Sequence, residues 1–160
     1  MAVFDRLLAA NAGFAASPDM VHDVRPRLGL AVVTCMDTRI DPLAVLGLDV
    51  GDAHVLRNAG ARVTDDVLRS LALSVHILGV RTVAVIEHTD CGLAATTDEE
   101  LRERTGTPLE FLAIDDHAAA LGHDVERLAG APFLAPVGEF AGWLLDTSTG
   151  ALEQVVRLSR

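Results

Sequence analysis

Aromatic side chains are scarce in this sequence of 160 residues, which contains no tyrosine, one tryptophan and five phenylalanines. Half of the residues are nevertheless apolar, so alanine, valine, leucine and isoleucine must build most of the core. A chain of this length commonly folds as one domain. Because we find no internal repeat, low-complexity tract or flexible linker, the sequence predicts a single domain over residues 1–160.

Positive charge is also in short supply, since 13 basic residues face 23 acidic ones and the formal net charge is −10. A surface of this sign repels phosphate backbones, so nucleic-acid binding is not expected, whereas a small neutral substrate would not be repelled. No apolar stretch reaches the roughly 18–20 residues that span a bilayer. The start of the chain lacks a basic segment followed by an apolar run, so we expect a cytoplasmic protein without membrane association.

Cysteine occurs only twice, as Cys35 and Cys91. Two cysteines in a presumed cytoplasmic chain are weak evidence for a disulfide, and such thiols more often bind metals, act in catalysis or are buried. A redox pair is a competing interpretation. It lacks the Cys-x-x-Cys spacing of such motifs.

Hydrophobic patterns predict alternating strands and helices. Apolar runs rich in β-branched residues, typical of buried parallel strands, occupy residues 28–35, 53–57 and 82–86. Helical patterns occupy residues 2–16, 41–47, 64–78, 98–104 and 115–128, and segments 142–146 and 152–156 favour a closing hairpin. This order predicts an α/β fold with a mostly parallel central β-sheet, flanking helices and a C-terminal antiparallel edge hairpin.

Potential metal ligands stand at the ends of two of these strands. Cys35 ends the first strand, while His88 and Cys91 follow the third. Ligand sites gather beyond the carboxyl ends of strands in open α/β sheets, so the three side chains are expected to meet. Two thiolates and an imidazole suit zinc and leave a fourth position open. Each residue alone has a plain structural explanation, because a single cysteine is usually a small buried apolar residue.

Three short segments resemble the signature segments of the β-class carbonic anhydrases, especially their compact members. They are Cys35-Met36-Asp37-Thr38-Arg39, Arg57-Asn58-Ala59-Gly60 and His88-Thr89-Asp90-Cys91-Gly92, and their order and separation also match. The resemblance implies a helical arm over residues 1–27, a core with the zinc site over residues 28–92, and helices with the closing hairpin over residues 93–160.

The same resemblance implies an enzyme that reversibly hydrates carbon dioxide to bicarbonate by a metal-bound hydroxide, with one Zn²⁺ per subunit held by Cys35, His88 and Cys91. It implies that Arg39 orients Asp37, whose carboxylate accepts a hydrogen bond from the zinc-bound water. In some relatives this aspartate instead takes the fourth zinc position and closes the site. Both states remain open from the sequence, as does a plain solvated ion pair between Asp37 and Arg39.

The resemblance further implies a homodimer or higher homo-oligomer, with active sites near the subunit interface and the N-terminal helix lying across the partner. It places the Asn58-Ala59-Gly60 turn beside the site. A hydrolase of COS or CS₂ on the same zinc site is one alternative. Another is a non-catalytic protein whose structural zinc is closed by Asp37 as the fourth ligand. A nucleotide-binding module ranks last, since the sequence has no Gly-x-Gly-x-x-Gly and no P-loop.

Two further features are left open by the sequence. Glu87 stands where many relatives have glycine or histidine, and strand alternation allows it to point either away from the metal or toward it. Proton transfer to solvent needs a route, for which His54, His117 and His123 have suitable chemistry. A solvated helix face is the stronger expectation for His117 and His123.

Overall fold

A five-stranded sheet forms the centre of the protein, whose computed structural model describes residues 2–160, so that the first residue of the predicted arm lies outside it. The strands are β1 Leu30–Cys35, β2 Ala53–Asn58, β3 Thr82–His88, β4 Glu139–Leu145 and β5 Leu152–Ser159, in the order β2-β1-β3-β4-β5. The first four are parallel and β5 runs antiparallel to β4. The predicted fold class is therefore confirmed.

Residues 2–160 contain five α-helices. They are α1 Val3–Ala15, α2 Pro42–Leu46, α3 Asp65–His76, α4 Asp98–Thr105 and α5 His117–Gly130. Asp41 begins α2 as predicted, because its carboxylate accepts the backbone N–H groups of Leu43 and Ala44. None of the helices among residues 2–160 is long and apolar enough to cross a membrane.

Several boundaries differ from the prediction. β3 continues two residues beyond the predicted end, because Glu87 and His88 pair with the last residues of β4. His88 is thus the final residue of a strand rather than part of the following turn. α5 begins at His117 instead of residue 115, because the side chain of Asp116 caps it by accepting the backbone N–H of Ala119.

The sheet carries a larger and a smaller apolar cluster. The larger cluster includes Leu71 of α3 and Leu121 of α5, packed with strand residues such as Phe140. The smaller cluster contains Val32, Ile86, Cys35 and Cys91, with Trp143 packed against it. Trp143 pairs in register with Ile86 of β3. The two cysteines therefore lie at the edge of an apolar layer.

None of the residues of helix α1 is buried. Its apolar side chains face solvent, and Phe4 and Leu8 are 78% and 71% exposed. The helix begins and ends within one residue of the predicted span of residues 2–16.

Candidate metal centre

The topology brings the three predicted metal ligands together. β1 and β3 are adjacent parallel strands, so their carboxyl ends place Cys35 and His88 at the same edge of the sheet. Cys91 follows in the turn after β3, in which Asp90 adopts a φ of +54°. The two sulfur atoms and a nitrogen of His88 all lie within 4.8 Å of one another, and all three residues are buried.

The imidazole of His88 has one nitrogen engaged and the other free. Nδ1 lies 2.8 Å from the carbonyl oxygen of Thr89, which can only accept, so Nδ1 carries the proton. Nε2 is buried and has no hydrogen-bond partner among residues 2–160. An unpartnered buried nitrogen beside two thiols is the donor set that zinc prefers, so the residues present fit this metal.

Asp37 is held in a fixed position next to these residues. Its Oδ1 accepts the backbone N–H and the Nε–H of Arg39 at 2.9 and 3.0 Å, and its Oδ2 accepts Nη2 at 2.7 Å. These hydrogen bonds from Arg39 keep the pKa of Asp37 well below its usual range, so the carboxylate is ionised. Its Oδ2 also lies 3.8 Å from Nε2 of His88.

Arg57 organises the backbone beneath this pair, a role that the sequence analysis did not assign. Its guanidinium donates to the carbonyl oxygens of Cys35 and Asp37, at 3.0 and 2.6 Å. The backbone N–H of Met36 donates to the carbonyl oxygen of Asn58. The signal was present in the Arg57–Gly60 segment, although a motif alone does not reveal which carbonyls its arginine contacts.

A cavity of about 420 Å³ opens beside Cys35, Asp37 and Cys91. Most of its lining is apolar, and it is completed by Met36, Ala59, Gly60, Gly92, Leu93, Thr96, Leu101 and Phe111. Gly60 has a φ of +69°, and a Cβ there would lie 2.6 Å from Cδ2 of Leu93. The turn at residues 58–60 therefore borders the site, as the resemblance implied.

Comparison with known proteins places these residues in a family. The family model described as carbonic anhydrase matches residues 30–127. The chain is also 35% identical to Beta-carbonic anhydrase 1 of Mycobacterium tuberculosis, and the match covers 97% of this chain and 99% of the relative. This chain belongs to the carbonic anhydrase family.

Other relatives agree with this assignment, and one of them is named for a different activity. The crystal structure of a carbonic anhydrase from Streptococcus mutans superposes with a TM-score of 0.86 at 35% identity, covering 98% of this chain and 99% of that one. A carbon disulfide hydrolase of Acidithiobacillus thiooxidans is 32% identical, covering 77% of this chain and 75% of the relative. Carbonic anhydrases of the β class use zinc, and the group formed by Cys35, His88 and Cys91 suits that ion.

Glu87 points away from the metal-ligand group of this carbonic anhydrase family member. Its side chain is fully buried, and Oε2 lies 2.6 Å from Nδ1 of His117 in α5. Burial raises the pKa of Glu87 to about 8, so the carboxyl is largely neutral at pH 7. Glu87 therefore adds little negative charge, even on the side of the sheet where it contacts α5.

The expectation of a solvated His117 is wrong. Its side chain is 23% exposed, and burial lowers the pKa of its imidazole. The hydrogen bond to Glu87 explains the difference, because it draws the His117 side chain from the start of α5 toward the end of β3. His123 does lie on the solvated face of α5, as predicted.

Proposed function

We propose that this protein is a zinc-dependent carbonic anhydrase in which Cys35, His88 and Cys91 hold the metal. The observation that supports this ligand set is the buried Nε2 of His88, which lies beside two buried thiols and has no hydrogen-bond partner in the part of the chain that the structure describes. When bound, zinc lowers the pKa of water so that hydroxide is available near neutral pH for attack on carbon dioxide.

Asp37 and Arg39 orient the reacting water in this proposal. The carboxylate lies 3.8 Å from Nε2 of His88 and has lone pairs left after its bonds to Arg39, so it can accept a hydrogen bond from water. Arg39 holds both carboxylate oxygens at once, an arrangement that fixes direction as well as charge. To become a fourth metal ligand, Asp37 would have to give up part of this bonding. We therefore propose that the fourth metal position is open as long as Arg39 holds Asp37 in this way.

The cavity suits a small uncharged substrate. Carbon dioxide carries no charge, so it loses little solvation free energy when it moves from water into this space. The walls are mainly apolar and include Met36, Leu93, Leu101 and Phe111. The ionised Asp37 stands at one side of this space, where it can direct water toward the substrate carbon.

Zinc analysis together with a carbon dioxide hydration assay between neutral and alkaline pH tests the proposal. We expect one zinc per chain and measurable hydration. His88→Ala, which removes the unpartnered nitrogen, should lose both. A purified protein that carries its full zinc and hydrates no carbon dioxide at any of these pH values would overturn the proposed function.

Hydrolysis of COS or CS₂ is the second candidate. It is favoured by the similarity to carbon disulfide hydrolases, one of which is 46% identical over 72 residues, and by the apolar cavity. These substrates are linear and uncharged like carbon dioxide, so the chemistry of one zinc site suits all three. Assaying the same preparation against CO₂, COS and CS₂ separates the two functions.

A homodimer or higher homo-oligomer of single-domain subunits is the assembly that we propose. The exposed apolar face of α1, defined here as Val3, Phe4, Leu7, Leu8 and Phe14, supports it, because such a face normally packs against another surface. We also propose a cytoplasmic location. Cys35 and Cys91 are both free thiols, and a reducing compartment keeps them available as ligands.

A further inference from the structure

Part of the cavity wall comes from outside the strand ends. Leu101 belongs to α4, and Phe111 belongs to the irregular residues that follow it. We call residues 109–114 the 109–114 segment. Residues 109–114 belong to no helix or strand, so the hydrogen bonds of regular structure do not hold them. Other contacts must therefore fix the position of Phe111.

Helix α4 holds the segment from one side. One carboxylate oxygen of Asp98 accepts the backbone N–H of Phe111 at 3.0 Å, and the other accepts that of Ala113 at 2.8 Å. Arg102 donates to the carbonyl oxygen of Leu109 at 3.1 Å and also bonds to Asp98. Two side chains of one helix therefore bind three backbone groups of the segment.

The core holds the segment from the other side. Arg62, which is paired with the buried Asp124, donates to the carbonyl oxygen of Leu112 at 2.5 Å. Leu112 has a φ of +59°, a left-handed conformation that is unfavourable for a residue with a side chain. The conformation around Phe111 is thus imposed by these contacts and is not the preferred state of the free chain.

We infer that Phe111 sets the size of the substrate that the site admits and that Asp98 is the positioning residue that keeps its ring in place. This inference rests on the proposed function, since it concerns the same cavity. The Phe111 ring is part of the wall of a space that also contains Cys35, Asp37 and Cys91. Shortening this side chain widens the space, which favours the larger sulfur-containing triatomic molecules over carbon dioxide.

Substrate ratios in matched variants test the inference. For Phe111→Ala we expect the ratio of kcat/KM for COS to that for CO₂ to rise about 10-fold or more, the usual scale for apolar pocket discrimination. Phe111→Leu should give a smaller rise. Asp98→Asn, which leaves only one acceptor oxygen, should shift the ratio the same way mainly through KM for CO₂. Glu99→Gln is the control, because it removes a charge from the same helix turn at an exposed residue.

Thiol accessibility gives a readout that does not depend on turnover. Cys35 and Cys91 are 5% and 2% exposed, and both line the cavity, so reagents reach them through it. In the zinc-stripped full chain, Phe111→Ala should speed alkylation by N-phenylmaleimide about 10-fold while iodoacetamide, which is smaller, changes less. Glu99→Gln should react as the wild type does.

The outcomes separate the two proposals. A wild type without CO₂ hydration would end the proposed function, and the role of Phe111 would then be judged by the alkylation ratio and by COS against CS₂. If Phe111→Ala and Phe111→Leu stay folded yet leave the substrate and alkylation ratios unchanged, the inference is wrong. Equal changes in Asp98→Asn and Glu99→Gln would remove the positioning role of Asp98.

Discussion

Three donor groups of Arg39 hold the two carboxylate oxygens of Asp37, and this arrangement determines what a substitution there should do. Asp37→Ala leaves the three proposed metal ligands intact, so zinc content should stay near one per chain. Hydration should fall about 100-fold or more, the scale of a lost acid–base group. Metal analysis and stopped-flow hydration assays measure the two effects, with Asp66→Ala as the surface control. Undiminished turnover would contradict the proposed role.

Gly60 allows a second prediction at the scale of one residue. Gly60→Ala should destabilise the protein by about 1–3 kcal/mol, because the new methyl group clashes with Leu93. Gly122→Ala lies within α5, where a Cβ meets nothing within 4 Å, and should stabilise by about 0.5–1 kcal/mol. Urea unfolding of both variants checks the opposite signs. Two shifts of the same sign would refute the steric explanation.

Among the elements, α4 links its first turn to the 109–114 segment through Asp98, and this link predicts a pH dependence. The backbone N–H groups of Ala113 and Phe111 keep the pKa of Asp98 below its usual range. A lowered pKa stabilises the fold at pH values above the unfolded value of about 3.9, and this contribution is lost as the pH falls through the folded pKa.

Asp98→Asn should therefore cost about 1–2 kcal/mol of unfolding free energy at pH 6, the scale of hydrogen bonds to a charged group. The gap to the wild type should begin to narrow below a pH of about 4, because the unfolded wild type then binds a proton at Asp98, and it should close once the pH falls through the lowered folded pKa. Urea unfolding of both zinc-stripped proteins, from pH 6 to the lowest pH at which both fold, measures this difference in unfolding free energy. A gap that stays constant in acid would argue against a charge-dependent role.

Sequence patterns predicted the regular elements better than the irregular ones, for a physical reason. The strand ending at Cys35 and the caps of α2 and α3 follow from nearby residues, so periodicity and capping rules find them. The 109–114 segment instead takes its shape from Asp98, Arg102 and Arg62, and the last of these is 50 residues from the carbonyl group it binds. No local pattern records such a contact.

The direction of Glu87 was also undecided by sequence for a reason that lies beyond its own strand. Alternation along β3 allowed two faces, and only the packing of α5 against β3 brings His117 to Glu87. The metal-ligand group was easier to predict. Its three side chains follow from two strand ends, whose meeting is a general property of parallel sheets.

At the scale of the whole molecule, the exposed apolar face of α1 predicts self-association. We expect the wild type to elute with at least twice the mass of one chain in size-exclusion chromatography with light scattering. The double variant Phe4→Glu with Leu8→Glu should shift the protein toward monomer, because it places charges in that face. Ala9→Glu adds a charge on the opposite side of the helix and should not. A monomeric wild type would contradict the proposed assembly.

The absence of tyrosine and the presence of one tryptophan have an optical consequence. Absorbance near 280 nm and intrinsic fluorescence must come almost entirely from Trp143. Trp143 of β4 pairs with Ile86 of β3, and Ile86 stands two residues before His88. Emission from a single natural fluorophore therefore reports on the strand pair that carries the site, and metal loading or unfolding can be followed there without a label.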